Sequence, residues 1–445
     1  MRHESTHTLK HDLFLPIVLF ASLGAMTWAV RGCSGFGATA GCAFAGVGWG
    51  TAWWYIAREK GPIQSRRYAS AWIILAMTIG MGMAGARGWA QWWPFFEGRL
   101  QTNASTGEFM PIEPIYGFVW TFIAGVPWAG LGACLLAWCG PVRPMRWWQW
   151  PIRIAFGVGA VYLARAFFDH YPNYCLPLYS EIEARYKDLG SNPNLRRLMN
   201  DNRAAISHLG LYLGFLAFEM FRRDWKNVVL IVTVGLLNGI GWAALQNWTW
   251  AERVWPGVEF NWWRCWESSG GISIGFAYGV AYYLVNRPVS ERERASLGTL
   301  LTNHRPNLER FALMSGLIFG LTYATRNGLK GWANIYLGNE DYWAAQLSKY
   351  MYPPMWVAIG AAALWVFFRP KPRDYDQDLF PRDRGAMLFV LVVLNIIAQL
   401  VTGHSDRNEI IFTIYYVILF AVTVAAVLYS ARSKSKYREI TTENQ

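Results

Sequence analysis

Charge is scarce in this chain. Asp, Glu, Lys and Arg make up 16% of its 445 residues, and acids are the scarcer sign, 29 against 41 bases. A soluble domain carries roughly 25% charged residues, so the shortfall argues against a soluble globular protein. A hydrophobic share of 53% excludes a disordered one. The 6 cysteines form no Cys-x-x-Cys pair and no zinc-ligand spacing. There is no Walker A loop, so the chain does not drive itself with ATP. Long polar stretches are missing too. The widest gaps between apolar runs, near Phe168–Arg203 and Gln246–Ser269, hold about 25 to 35 residues, below the usual minimum for a domain. No metal and no cofactor is expected.

What the chain does contain is apolar sequence at regular intervals. A membrane span needs about 20 mostly apolar residues, and lipid admits helices or closed barrels. These runs are too long and too continuous for barrel strands. Spans are expected near Leu13–Val30, Thr39–Ala57, Ala69–Ala86, Ile115–Leu136, Ile152–Phe168 and Ala204–Phe221. The second set is Val228–Leu245, Gly270–Val285, Phe311–Thr325, Pro354–Phe368, Ala386–Val401 and Ile411–Tyr429. The expected class is all-α: a polytopic membrane protein of about twelve transmembrane helices.

The basic residues give an orientation. The amino terminus, the gaps after even-numbered spans and the carboxyl tail hold about 26 of the 41 Lys and Arg. The other gaps are roughly neutral. Positive loops stay inside, so both termini are expected in the cytoplasm and the chain in the plasma (inner) membrane. The basic excess is therefore a topology signal, and no patch is left over for nucleic acid. Leu13–Val30 lacks a small-residue cleavage site and is followed at once by Arg31, so it reads as the first helix. The expected partners are a small-molecule solute and membrane lipid; oligomeric state is left open. Cys175 and Cys265 both fall in outer gaps, where a disulfide is open to them.

Two segments echo each other. Gly46-Val-Gly-Trp-Gly50 runs on to Arg58, and Gly275-Phe-Ala-Tyr-Gly279 runs on to Arg287, each through Ala and two aromatics. Gly82…Arg87 and Gly320…Arg326 follow in the next span of each set. The echo predicts a parallel 6+6 pseudo-repeat, with halves 1–226 and 227–445. Glycines four apart are foremost a helix-packing device.

Ionisable groups at membrane depth are costly and usually serve a cavity. Arg31, Arg87, Arg165 and Arg326 recur at the outer ends of odd-numbered spans, against the positive-inside bias. Snorkelling to the interface is the plain alternative. Tryptophan is abundant, at 26 residues. Around Gln246-Asn247-Trp248 and Asn261…Gly271 it alternates with amides, charges and hydroxyls, as a sugar ring would require. An interfacial belt explains the scattered copies. The candidate binding set is Arg31, Arg87, Arg165, Arg326, Trp89, Gln246, Asn247, Trp248, Glu267, Asn327 and Trp332. Asp169 and His170 are the candidates for proton coupling, and no catalytic residue is assigned. The leading reading is a secondary carrier for a polar, anionic cyclic solute such as a sugar acid. The alternative is a membrane-embedded glycosyl or acyl transferase using a lipid-linked donor, with Glu267, Asp169 or His170 as acid or base.

Overall fold

The computed structural model describes residues 9–33, 38–58, 66–84, 90–103, 105–140, 145–287, 289–290, 293, 306–368, 390–394 and 407–442. The chain is all-α apart from one small hairpin. Its long helices are α1 Leu15–Cys33, α2 Ala38–Ala57, α3 Trp72–Ala84, α4 Ile115–Ala137, α5 Gln149–His170 and α6 Pro193–Phe221. They continue as α7 Trp225–Leu245, α8 Trp262–Val285, α9 Pro306–Leu337, α10 Glu340–Phe368 and α11 Arg407–Thr442. Eleven of the twelve expected spans thus coincide with a long helix. The other, Ala386–Val401, falls mostly outside the described residues, which show it helical at 390–394.

Among the described residues, 7 helices are long and apolar enough to cross a bilayer. They include α4, α5, α6 and α7, with α4 the most deeply buried. α2 and α8 have the length, but their Gly, Trp and Tyr content dilutes their hydropathy. These helices are held by packing. Several buried hydroxyls are satisfied within their own helix: Thr51 donates to the Val47 carbonyl at 2.7 Å and Thr78 to that of Ile74 at 2.6 Å.

Taken in order of contact, six helices form a closed circuit: α1, α2, α3, α4, α7, α8 and back to α1. Their buried aromatics make one core that includes Trp28, Trp49, Trp53, Trp128, Trp242, Tyr278 and Tyr282. The α5–α6 pair packs on α4 through α6, the α9–α10 pair on α2 and α3 through α9, and α11 on α1. The halves 1–226 and 227–445 therefore interleave. Their boundary falls at the tight turn between α6 and α7, where Arg223 adopts a left-handed φ of 56°.

The glycine pairs are contact points, as expected, but with different partners. A Cβ on Gly46 or Gly50 would run into the α3 backbone at Met77 or Ile74. One on Gly275 or Gly279 would run into α1 at Phe20 or Ile17. A strict repeat would place α9 opposite Gly275 and Gly279, so the echoed motif does not extend to the helix pairing. α1 and α8 touch backbone to backbone at Gly24 and Gly271. Gly271→Ala is therefore expected to lose about 1–3 kcal/mol, the usual cost of overpacking. Thermal unfolding in detergent, followed by tryptophan fluorescence, measures it. Gly159→Ala, whose added methyl meets nothing within 4 Å, is the matched control.

The end of the bundle where α3, α5 and α7 finish carries a second core. It gathers Trp92, Trp120, Phe168, Cys175, Ile182, Tyr186, Leu195 and Leu198. A 3-10 segment, Ala90–Glu97, leads into the antiparallel hairpin β1 Arg99–Asn103 and β2 Glu108–Pro111. The stretch 179–202 forms the short helix Tyr179–Lys187 and the first turns of α6. Cys175 and Cys265 are both free thiols, which corrects the suggested disulfide. Cys175 belongs to this second core, whereas Cys265 lies on α8 against the main one.

Candidate functional site

At the same end, the circuit opens into a hollow of about 350 Å3, part of it open to solvent. Four elements wall it. The 3-10 segment contributes Trp92, Trp93 and Phe96; α4 gives Thr121, Ala124 and Trp128; α7 gives Trp242 and Gln246; and α8 gives Trp263 and Trp266. Among the described residues, no lining side chain is ionisable.

Each wall is fixed by bonds running away from the hollow. The Trp92 indole donates to Asn202 Oδ1 at 2.7 Å, and Asn202 Nδ2 donates to the Cys175 carbonyl at 2.8 Å, tying the 3-10 segment to α6. The Trp250 indole donates to the Phe96 carbonyl at 3.1 Å. Asn238 Nδ2 donates to the Gly125 carbonyl at 2.6 Å, where α4 and α7 meet at Gly125 and Gly239. Asn261 caps α8, its side-chain oxygen accepting from the Arg264 backbone N–H at 3.0 Å.

The rings themselves pack closely. Trp242 and Trp266 meet edge to face with centroids 4.8 Å apart, while the tilted pairs Trp128–Trp242 and Trp263–Trp266 lie 4.3 and 4.8 Å apart. The indole N–H groups of Trp242 and Trp266 are buried and have no hydrogen-bond partner. A buried unpaired donor costs about 1–3 kcal/mol. Gln246 is 3% exposed and donates through Nε2 to the Trp242 carbonyl at 3.0 Å.

The sequence candidates divide into three groups. Gln246 lines the hollow, and two neighbours stand beside it: Trp248, whose indole donates to Ser269 Oγ at 3.1 Å, and Glu267, buried next to Trp266. Asn247 is exposed. A second group sits on the α5–α6 pair. There Arg165 donates through Nε to Ser207 Oγ at 3.1 Å, Asp169 pairs with Arg203 at 2.8 Å, and His170 Nδ1 lies 2.8 Å from the Ala166 carbonyl. The third group is on α9. Arg326 donates to the Ala344 carbonyl and to Ser348 Oγ, both at 2.8 Å on α10. Asn327 is buried, its amide nitrogen unpartnered, and Trp332 packs on Tyr336. Arg165 and Arg326 thus clamp neighbouring helices and do not line the hollow. The side chains of Arg31, Arg87 and Trp89 lie outside the described residues.

Trp128 and Trp242 are the site residues that sequence reading missed. Both sit well inside apolar spans, beside Pro127 and Gly241, whereas a belt keeps tryptophan at the interfaces. Two strings in the chain also spell catalytic signatures. His3-Glu4-Ser-Thr-His7 has zinc-protease spacing and lies outside the described residues. Gly271-Ile-Ser273-Ile-Gly275 matches the nucleophile-elbow pattern. However, it runs through the middle of continuous helix α8, its glycines face α1, and Ser273 donates to Asn238 Oδ1 at 3.4 Å. An elbow needs a strand-to-helix turn, so this string is a packing motif.

Apolar helices closed around an aromatic core, with an uncharged aromatic hollow at one end, define a polytopic α-helical membrane protein. No protein-family model, curated protein or solved structure matches the chain.

Proposed function

We propose that this protein is a secondary carrier that binds a polar cyclic solute of the sugar class in the tryptophan-lined hollow. The observation that carries the reading is the pair of buried, unpartnered indole N–H groups on a wall of stacking rings. Aromatic faces receive the C–H surface of a ring, and the free donors receive its oxygens. Small-molecule sites are commonly concave, mostly aromatic or apolar, with a few placed polar groups. Four arginines made negative charge on the solute an expectation. With Arg165 and Arg326 engaged between helices, the part carried forward is the polar ring, whether sugar or sugar acid. A transferase would need an acid or base among the groups that touch its substrate, and among the described residues the lining offers neither.

The proposal also includes the orientation and the architecture. Tryptophan-rich loops lie outside and arginine-rich ends in the cytoplasm of the plasma (inner) membrane, supported by the loop bias. Twelve spans in a 6+6 repeat are supported by the echoed glycine segments. Coupling through Asp169 and His170 is tested by the same assay as the solute.

That assay is uptake of labelled neutral, uronic and sialic sugars into proteoliposomes, with and without a pH gradient. Uptake of at least one class is expected to fall tenfold or more in Trp263→Ala, which strips a ring from the rim without opening the core. Accumulation of no sugar by the wild type, or unchanged uptake in this variant, would remove the proposal. Asp169→Asn should abolish any dependence on the gradient if that residue couples protons.

A further inference from the structure

We infer that the end of the bundle opposite the hollow carries a site for a phosphate oxyanion, built from Arg67, Lys226 and the first turn of α7. Its occupant is free phosphate or the headgroup of an anionic phospholipid. The inference does not draw on the carrier reading.

Arg67 lies in the connection between α2 and α3 and is 9% exposed. Its Nε and Nη1 are enclosed and, among the described residues, have no hydrogen-bond partner; Nη2 is not enclosed in this way. Buried charges are normally paired, and an arginine cannot escape the cost by shedding its proton. An oxyanion reaching Nη2 meets the same planar fork that carries Nη1, the geometry that suits phosphate.

The surroundings supply the rest of the site. Arg67 neighbours the Tyr68 hydroxyl, which donates to Asn227 Oδ1 at 2.6 Å, so the guanidinium stands beside the start of α7. That start is uncapped. The Asp224 side chain makes no cap bond, and the helical ladder begins with the Val228 N–H donating to the Asp224 carbonyl at 3.0 Å. The N–H groups of Trp225, Lys226 and Asn227 precede that ladder, at the positive end of a 21-residue helix. Lys226 is half-buried, with Arg67 and Arg287 as like charges within reach and Asp224 and Glu293 as opposite ones. Three cations against two carboxylates leave a positive excess. Trp225, next to Lys226, is 59% exposed and shares an exposed apolar face of α7 with Val229, Leu236 and Ile240, which brings lipid to the edge of the site. Basic pockets between transmembrane helices are a recurrent seat for phospholipid headgroups.

The test is thermal unfolding of the delipidated full chain in detergent, read by tryptophan fluorescence, with inorganic phosphate, phosphatidylglycerol or phosphatidylcholine added at fixed ionic strength. A saturable rise in midpoint is expected with phosphate, with phosphatidylglycerol, or with both, and a far weaker one with phosphatidylcholine. A rise with phosphatidylglycerol alone assigns the site to a lipid headgroup; a rise with phosphate alone assigns it to the free anion. Apparent affinity is expected to fall about 10- to 100-fold in Arg67→Met, the range for charge-assisted bonds. The loss should be smaller in Arg67→Lys, which keeps the charge without the fork. Arg185→Met, which removes an exposed cation at the hollow's end, should leave affinity unchanged. Without additions, Arg67→Met is expected to unfold no earlier than the wild type, because it relieves an unpaired cation. Earlier unfolding would mark an arginine kept for packing and would overturn the inference. So would the absence of any saturable rise, or an equal rise in Arg67→Met. None of these results bears on the carrier reading, which rests on the opposite end.

Discussion

Glu219→Ala is expected to destabilise the protein by about 3–5 kcal/mol, the cost of leaving a buried charge without its partner. Glu219, on the last turn of α6, and Arg153, on the first turns of α5, are both fully buried and form an ion pair. The guanidinium is boxed by Trp138, Trp150 and Phe218, with ring centroids 5.0, 5.1 and 5.2 Å away. These rings stabilise a cation but cannot neutralise it. Asn227 Nδ2 donates to the other carboxylate oxygen at 2.8 Å, so removing Glu219 also strips α7 of its bond to α6. Replacing the whole pair tells a different story. Arg153→Met with Glu219→Met removes both charges and keeps the volume, and buried pairs treated this way often end near neutral or more stable. The double variant is therefore expected to recover most of the loss. Unfolding midpoints of the two single variants and the double variant measure the coupling. Additive losses would show that the pair is not what joins α5 to α6.

The sequence announced this end of the molecule only in part. Loop arginines are legible in the sequence as a topology signal, because positive-inside bias acts on composition and needs no contact. Local spacing places Glu219 one turn before Arg222 and Arg223, which suggests an i, i+3 pairing. The structure gives Arg222 a 4.0 Å approach and assigns the close contact to Arg153, 66 positions earlier. Such a partner is invisible to local spacing. The same limit governs the glycine segments. That Gly46 and Gly275 would pack helices followed from the motif, whereas the choice of α3 for one and α1 for the other is a tertiary outcome.

The tryptophans show the complementary case. Alternation of Trp with amides in 246–271 drew attention to the right end of α7 and α8, and Gln246 does line the hollow. Seven of the ten lining residues come from elsewhere. Trp128 and Trp242 were hidden inside apolar runs, and Trp92 and Trp93 sit in an outer gap. A local signal existed there. Asn103-Ala-Ser-Thr-Gly107 is a cluster of turn formers, and in the structure Asn103 Oδ1 accepts from the Ser105 and Thr106 backbones at 2.9 and 3.3 Å. Gly107 takes the positive φ of 66° that closes the hairpin. Spacing alone does not settle an arginine's role: a guanidinium at a helix end serves equally as a ligand clamp or as a cross-link to the next helix. Arg326 and Arg165 take the second role.

Tyr68→Ala is expected to cost about 3–5 kcal/mol, typical for deleting a buried aromatic ring, and to loosen the end of the bundle opposite the hollow. Ring contacts run from one end of the core to the other. Trp242 meets Trp128, which meets Trp28 at 5.4 Å; Trp28 meets Trp49 at 6.0 Å; Trp49 meets Tyr278 at 6.0 Å; and Trp53 meets Tyr282 at 5.1 Å. Down this column the polar atoms are progressively tied off. The indoles of Trp49 and Trp53 donate to the Phe20 and Tyr68 carbonyls at 3.0 Å, and Tyr282 donates to the Ile56 carbonyl at 3.1 Å. Within this column the donors of Trp49, Trp53 and Tyr282 are thus spent, whereas those of Trp242 and Trp266 are not. Tyr68, in the connection between α2 and α3, holds this closure. Its backbone N–H donates to Asn286 Oδ1 at 3.1 Å, after α8, and its hydroxyl to Asn227 Oδ1 at 2.6 Å on α7. Burial and the Asp224 carboxylate push its phenol well above the usual range, so it stays protonated as a donor. The ring also covers Gly140, beside Cys139, whose thiol burial likewise holds well above its ordinary range. Tyr68→Phe loses one buried bond and leaves Asn227 short of a donor, about 1–3 kcal/mol; Tyr68→Ala adds the void. Maleimide labelling of Cys139, followed by mass spectrometry, is expected to quicken slightly in Tyr68→Phe and several-fold in Tyr68→Ala, with binding at the distant hollow unchanged. Equal labelling in all three proteins would mean that something other than this ring seals the closed end.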